Sequence, residues 1–135
     1  METVENIYHS DMKNDDICVN LYDKDLLEKF ILCLLKDIKY SRSVKYYAEI
    51  LAVSTKKLNY ITKKYFGKTA KVYIEERIIE NSKKLLSDTP YTVKQISYSM
   101  GFTDPTNFNK FFKKHTYITP LMFRQQFIKE HFNHI

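Results

Sequence analysis

An internal repeat constrains the fold of this chain more than any other feature of its sequence. Residues 43–67 and 92–117 match as two copies of one unit, with one residue inserted in the second copy after its central turn. A series of matches in this order is not expected by chance, so we predict one supersecondary unit used twice. The matched positions are Ser43 and Thr92, Val44 and Val93, Lys45 and Lys94, Ala52 and Gly101, Leu58 and Phe108, Asn59 and Asn109, Lys63 and Lys113, Lys64 and Lys114, Thr69 and Thr119, Ala70 and Pro120, and Tyr73 and Phe123.

Each copy has the order of a helix-turn-helix: a short capped helix, a tight turn with a small residue, and a second capped helix. In the first copy Ser43 and Ser54 are suited to cap the two helices, because a side-chain oxygen there can accept from a free backbone N–H. In the second copy Thr92 can cap the first helix, and Asp104 followed by Pro105 is a strong start for the second. The repeat therefore predicts two helix-turn-helix subdomains.

The periodicity of the remaining apolar residues is also helical, and the sequence predicts an all-α fold. No segment has a convincing strand pattern. Two Gly and three Pro are also too few for the turns of a sandwich or barrel. Seven helices are predicted, of which the fourth is a long connecting helix that joins the two subdomains. They cover residues 23–38, 43–51, 54–66, 69–86, 92–100, 104–115 and 119–130.

Four segments follow from these helices. Residues 1–22 are polar and aperiodic, and we predict a flexible arm or the remnant of a linker there. Residues 23–87 make the first helix-turn-helix subdomain with the connecting helix, and residues 88–130 make the second. Residues 131–135 remain as a tail.

The net charge of +6 is unevenly distributed, with −4 in residues 1–41 and +10 in residues 42–135. A basic body behind an acidic leader favours a polyanionic partner, with nucleic acid ahead of a membrane surface, although a solvated lysine-rich surface would have the same composition. Cys18 and Cys33 have neither the spacing of a zinc site nor that of a disulfide framework. With no signal peptide and no apolar run of about 18 residues, the sequence predicts a cytoplasmic protein.

The second helix of each copy is the candidate recognition helix, since in this motif that helix enters the major groove of DNA. Its outward residues are expected to meet base edges, and basic residues around it to meet phosphates. Exposed Lys, Asn and Thr are common on any helix, so the hypothesis depends on both copies presenting them on the same face. The predicted base contacts are Lys56, Lys57, Asn59, Tyr60, Thr106, Asn107, Asn109 and Lys110, and the predicted phosphate contacts are Ser43, Lys45, Lys63, Lys64, Thr92, Lys113 and Lys114.

The segment GFTDPTNFNKFFKKHTYITPLMFR, residues 101–124, resembles the C-terminal signature of AraC/XylS transcription regulators. The order of the elements before it resembles this family as well, and the resemblance extends over residues 24–127. It implies seven helices with residues 69–87 as the connecting helix, and sequence-specific binding of double-stranded DNA with the two recognition helices in successive major grooves. It places the base-reading positions on Lys56, Asn59, Tyr60, Thr106, Asn107 and Lys110.

The partners expected from this reading are double-stranded DNA and, for an activator, RNA polymerase. We expect no small molecule to bind within this segment, and a monomer in isolation. A connecting helix of about 18 residues is roughly 27 Å long at 1.5 Å per residue, close to the spacing of about 34 Å between successive major grooves.

The chain departs from the family pattern at four positions. Tyr60 stands where many members have Arg, which weakens any inference of guanine reading by the first unit. Ile78 stands in the connecting helix where many have Arg, and Phe123 replaces a common Tyr. Tyr117 replaces the usual Gly after the second recognition helix, so a left-handed residue there would carry strain on the order of 1 kcal/mol.

Two other classes of function compete with DNA binding. An enzyme has little support, because the four His are scattered, no glycine-rich phosphate loop is present and no nucleophile has a recognisable base. The sequence therefore predicts no catalytic residue, no metal and no cofactor. A helical protein–protein adaptor would suit the aromatic content of 15%, but most of the aromatic residues fall on inward stripes.

Overall fold

A computed structural model of the chain describes residues 2–13 and 20–132, and over these two ranges it is helical with no strand. This confirms the all-α class. The fourth helix continues as a π-helical turn, Thr62–Phe66, which ends at Gly67 in the left-handed conformation. The helices are α1 Val4–Asp11, α2 Leu21–Lys36, α3 Val44–Ile50, α4 Thr55–Ile61, α5 Ala70–Asp88, α6 Val93–Ser99, α7 Pro105–Thr116 and α8 Pro120–Phe132.

The chain divides into two compact units. Unit 1 comprises Met1–Ile38 and Arg42–Glu75, and unit 2 comprises Lys39–Ser41 and Glu76–Ile135. The division falls inside α5, whereas the sequence suggested one after residue 87. The short segment between α2 and α3 belongs to unit 2, although the residues on both sides of it belong to unit 1.

Unit 1 is built around the apolar face of α2. Phe30 is fully buried, and its ring lies 5.8 Å from the rings of both Tyr47 in α3 and Tyr73 in α5. Tyr73 in turn stacks on Phe66 with a centroid distance of 4.9 Å. Aromatic pairs at these distances add to the free energy of burial, so this cluster holds the first helix-turn-helix against α2 and α5.

Helix α1 occupies the place where a flexible arm was expected, and the helix count is therefore eight over the described ranges in place of seven. Ile7 and Tyr8 are each 4% exposed, and the Tyr8 ring packs against Phe66. The hydroxyl of Tyr73 donates to Asp11 Oδ2 at 2.7 Å. The prediction of an arm is wrong for Val4–Asp11, because two buried apolar side chains and the bond from Tyr73 dock this short helix onto unit 1.

Other parts of the predicted termini are not described. Cys18 and the rest of residues 14–19 lie outside the described ranges, as do residues 133–135 of the predicted tail. Helix α8 runs through residues 131 and 132, which were assigned to that tail.

Unit 2 has a core of phenylalanine side chains, among them Phe108 and Phe112, which are fully buried. Arg124 of α8 provides hydrogen-bond donors for free backbone carbonyls at the C-terminal end of α5. Its guanidinium donates to the carbonyls of Leu86 at 2.8 Å and Thr89 at 3.3 Å. A cation at a helix C-terminus also opposes the negative end of the helix dipole. Over the described residues, no helix is long and apolar enough to cross a membrane.

Two non-glycine residues of the described ranges have positive φ, Ala52 at 57° and Tyr117 at 69°. Both follow from the repeat: Ala52 lies in the turn of the first copy, and Tyr117 follows α7 at the position where the first copy has Gly67. Tyr117 thus has the left-handed conformation that its position after the second recognition helix suggested, and Gly67 has the same conformation with φ of 75°.

Replacing Tyr117 by glycine is expected to stabilise unit 2 by about 1 kcal/mol, since Gly adopts positive φ without the steric cost that an L side chain carries. The Tyr117 side chain is 86% exposed, so little packing is lost with it. Chemical denaturation would measure the change. The matched control is Tyr91→Gly, an exposed tyrosine without positive φ, which should not stabilise; equal gains in both variants would refute the strain.

Candidate nucleic-acid interface

Helix α4 is anchored by its apolar side and presents the other side to solvent. Leu58 and Ile61 are fully buried, which sets the rotation of the helix about its axis. Ser54 caps its N-terminus by accepting from the backbone N–H of Lys57 at 3.0 Å. Lys56 and Tyr60 are consequently exposed, as expected for base-reading positions.

Asn59 has a structural role that the sequence did not indicate. It is half-buried, and its Oδ1 accepts from the backbone N–H of Ala70, the first residue of α5, at 3.0 Å. The expectation that it points outward is corrected by this burial and this bond. Bidentate pairing with adenine would need both the oxygen and the nitrogen of the amide. Any base contact through this oxygen would have to share it with the backbone N–H of Ala70.

The equivalent residue of the second copy, Asn109, is in a different situation. The position that matches Ala70 is Pro120, which has no backbone N–H to donate. Asn109 is exposed on α7. The repeat that relates the two asparagines therefore does not give them the same role.

Lys57 is half-buried and pairs with a carboxylate of the protein. Its Nζ lies 3.2 Å from Oδ1 of Asp23, a buried residue of the first turn of α2. The other carboxylate oxygen of Asp23 accepts from the hydroxyl of Tyr65 at 2.9 Å and from the amide of Asn20 at 3.2 Å. The expectation that Lys57 points freely outward is thus corrected.

Asp23, Lys57, Tyr65 and Asn20 form a cluster in which neighbouring groups shift the pKa values of Asp23 and Tyr65. Burial alone would raise the pKa of Asp23, but the hydrogen bonds from Tyr65 and Lys57, the charge of Lys57 and the bond from Asn20 lower it below its ordinary value. Burial and the neighbouring Asp23 raise the pKa of Tyr65. At neutral pH the cluster is therefore a carboxylate held by an ammonium and a neutral phenol.

The basic pair that follows α4 remains available. Lys63 and Lys64 are both exposed in the π-helical turn. The ammonium of Lys64 lies over the rings of Tyr60 and Tyr65, at 5.7 Å and 5.3 Å from their centroids. These two tyrosines raise the pKa of Lys64 above its ordinary value, so it keeps its charge near neutral pH.

Helix α7 exposes a more complete set of polar groups. Phe108, Phe111 and Phe112 are buried and fix its orientation, while Asp104 caps it by accepting from the N–H of Thr106 at 2.8 Å. Pro105 is its first residue, as predicted. The exposed residues are Thr106, Asn107, Asn109, Lys110, Lys113 and Lys114.

The remaining predicted phosphate contacts lie at the starts of α3 and α6. Ser43 and Thr92 cap these helices, accepting from the N–H groups of Tyr46 at 3.4 Å and Gln95 at 3.0 Å. Thr92 and Gln95 form a reciprocal capping box. Ser43, Thr92 and Lys45 are exposed, so all three can be reached by a ligand.

Sequence reasoning missed Asp23 as a partner of the recognition helix. An acidic residue in the first turn of a helix is ordinarily explained by the helix dipole, and Asp23 fits that description. Its spacing from Lys57 gave no local signal. Four other acidic residues nearby are not buried: Asp25 and Glu28 of α2, Asp37 after α2, and Glu49 of α3. Burial is therefore what distinguishes Asp23 from them.

Residues 47–126 match a family model described as a helix-turn-helix domain. A transcriptional regulator with an AraC-type DNA-binding domain from Chromobacterium violaceum is similar in structure, with a TM-score of 0.68, 25% identity, and coverage of 79% of this chain and 96% of that one. The C-terminal domain of the two-component response regulator yesN from Fusobacterium nucleatum has a TM-score of 0.67 and 27% identity, covering 74% and 98%.

The DNA-binding domain of AdpA, solved in complex with a target DNA, has the same fold. Its TM-score is 0.68 at 15% identity, over 76% of this chain and 92% of that one. No curated protein sequence gave a significant match.

Proposed function

This chain belongs to the AraC/XylS family of helix-turn-helix transcription regulators, and on that premise we propose that α4 and α7 are its two recognition helices. The function of the family domain is sequence-specific DNA binding in the regulation of transcription. We propose that the two helices enter successive major grooves of double-stranded DNA.

The observation that carries the proposal is the polar face of α7. Thr106, Asn107, Asn109 and Lys110 are exposed while three phenylalanines hold the opposite face in the core. This set contains amides, a hydroxyl and a cation, so it can both donate to and accept from base edges. Base contacts from α4 are proposed for Lys56 and Tyr60, and α7 decides more of the sequence preference.

Replacing Asn107 by alanine is expected to relax specificity at one base pair, since a good bidentate contact is worth about 1–3 kcal/mol of discrimination. Replacing Lys56 by alanine should instead weaken binding almost evenly, because Lys acts as a point charge without the planar fork of Arg. Selection of binding sites from random DNA with both variants would measure the two effects. A changed preferred sequence for Lys56→Ala and none for Asn107→Ala would reverse these roles.

The phosphate backbone is proposed to be contacted by the basic pairs after each recognition helix, with Lys45 and the helix starts at Ser43 and Thr92 as further contacts. All four lysines of these pairs are exposed, which allows counterion release on binding. The pairs are Lys63 with Lys64 and Lys113 with Lys114.

Replacing any one of these four lysines by alanine should weaken binding to all sequences alike and reduce the slope of log K against log salt by about one unit. A mobility-shift titration at several salt concentrations measures both. Lys29→Ala is the control, since this lysine lies on α2 and pairs with Asp25 at 2.9 Å, and its slope should equal that of the unmodified protein. Unchanged slopes in all four variants would remove these residues from the interface.

The same titration tests the proposed function as a whole, because a chain that shows no salt-sensitive binding to DNA is not a regulator of this kind.

The helix-turn-helix domain of this family is a DNA-binding domain of transcription regulators, which is not a class of enzyme. We further propose that the isolated chain is a monomer and that the protein is cytoplasmic, where its DNA would be. If it is an activator, we propose RNA polymerase as a partner. Sedimentation of the chain alone tests the first of these.

A further inference from the structure

One lysine of the first recognition helix is neutralised within the protein. Lys57 is among the four lysines of α4 and its π-helical continuation, together with Lys56, Lys63 and Lys64. Among these four lysines of the described residues, Lys57 is the one that forms an ion pair, with its Nζ 3.2 Å from Asp23 Oδ1. Its side chain is still 35% exposed, so the ammonium lies at the surface of unit 1.

The carboxylate that holds Lys57 is fixed in place. Asp23 has a side chain only 5% exposed, and bonds from Tyr65 and Asn20 orient it. Its own backbone N–H donates to Asn20 Oδ1 at 2.7 Å. A buried anion that cannot turn toward water gains strongly from the nearby cation, and therefore competes well with any external anion for it.

Two aromatic rings add to this hold. The Lys57 ammonium lies 5.7 Å from the ring centroid of Tyr22 on α2 and 5.8 Å from that of Tyr60 on α4. Both tyrosines are more than half exposed. Cation–π contacts at this distance attract the ammonium weakly, so they help to keep it beside Asp23 while leaving it at the solvent boundary.

We propose that Asp23 is a positioning residue that competes with DNA phosphate for Lys57 and so limits the sequence-independent affinity of the first recognition helix. This rests on the proposed function of α4. Phosphate contacts supply most of the affinity for DNA of any sequence. Removing one lysine from that set lowers binding to wrong sites while the base-reading residues Lys56 and Tyr60 are left unchanged, and specificity increases.

The test is Asp23→Asn, whose amide keeps the shape of the carboxyl and can still accept from Tyr65. Freed from its partner, Lys57 should gain a phosphate contact. The slope of log K against log salt on non-specific DNA should become steeper by about 0.9. Between 50 and 200 mM salt this corresponds to an additional loss of affinity of about 3.5-fold. The preferred sequence should stay the same.

Three further variants keep the proposal falsifiable. Asp23→Asn combined with Lys57→Met should return the slope to that of the unmodified protein, and Lys57→Met alone should leave the slope unchanged. Tyr65→Phe also removes a hydrogen bond from the cluster but leaves the ion pair, so it should lower stability without altering the slope. Circular dichroism at the binding temperature checks that each variant is folded.

The proposal is overturned if Asp23→Asn binds with the original slope, or if Lys57→Met alone reduces the slope by about one unit, which would show Lys57 already on a phosphate. In both cases the unmodified protein binds DNA and the proposed function stands. Absence of DNA binding by the unmodified protein would overturn the proposed function itself.

Discussion

Replacing Gly101 by alanine is expected to destabilise unit 2 by about 2–4 kcal/mol, far more than the same exchange at most surface turns. Gly101 has φ of 86°, a conformation that costs an L residue about 1 kcal/mol or more. A Cβ there would also lie 2.9 Å from Cβ of Lys39 and 3.0 Å from the backbone nitrogen of Tyr40. Segment 39–41 would therefore have to move.

Moving that segment breaks a set of contacts inside unit 2. The backbone N–H of Tyr40 donates to the carbonyl of Met100 at 2.7 Å. The Tyr40 ring stacks on Phe102 at a centroid distance of 4.2 Å and meets Phe111 of α7 at 5.0 Å. A hydrogen bond and an aromatic stack of this kind contribute about 0.5–1.5 kcal/mol each, which gives the larger part of the predicted loss.

The repeat supplies the matched control. Ala52 is the residue of the first copy that corresponds to Gly101, with φ of 57° and an exposed side chain. Ala52→Gly should stabilise unit 1 by about 1 kcal/mol, since it relieves the left-handed strain. Denaturant unfolding would measure both variants. If Gly101→Ala lost no more stability than Ala52→Gly gained, the close approach of segment 39–41 would add nothing to the cost of a Cβ at position 101.

Replacing Asp23 by alanine should cost about 3 kcal/mol of stability at neutral pH, because it leaves the buried hydroxyl of Tyr65 without its acceptor and Lys57 without its anion. The figure is at the low end for broken buried pairs, since the Lys57 side chain is 35% exposed and can turn to water. Tyr65→Phe removes only one hydrogen bond and should cost about 1–2 kcal/mol. A smaller loss for Asp23→Ala than for Tyr65→Phe would contradict the cluster as described.

The effect of Asp23→Ala should depend on pH. The pKa of Asp23 is lower in the folded protein than its ordinary value of 3.8, so the unfolded state binds a proton first as the pH falls. The stabilisation by this carboxylate is complete above the ordinary pKa and is lost as the pH drops through the folded-state pKa. The difference in unfolding free energy between the two proteins should thus be constant from neutral pH down to about 5 and shrink below 4. A difference that is unchanged at pH 3 would contradict a charged Asp23 in the cluster.

The features of this protein that were predictable from sequence are those with local causes. The caps at Ser43, Ser54, Thr92 and Asp104 lie where side-chain chemistry placed them, since a cap bond joins residues two or three positions apart. The apolar periodicity of each helix showed which face is buried. The repeat then predicted two similar units before any contact was known.

The features that only the tertiary structure decided involve residues far apart in the chain. Docking of α1 depends on Tyr8 reaching Phe66 and Asp11 reaching Tyr73, and a polar segment with two buried side chains has too weak a pattern to show this. The inclusion of segment 39–41 in unit 2 likewise depends on Met100, which comes sixty residues later.

The candidate site shows the same division. The outward positions of Thr106, Asn107 and Lys110 followed from helix periodicity alone, because three buried phenylalanines determine which face is free. The engagement of Asn59 with the start of α5 and of Lys57 with Asp23 did not, since these bonds join residues 11 and 34 positions apart. Periodicity predicts which face a side chain occupies, but whether a polar side chain on that face is bound depends on which distant groups the folded chain brings within hydrogen-bonding distance.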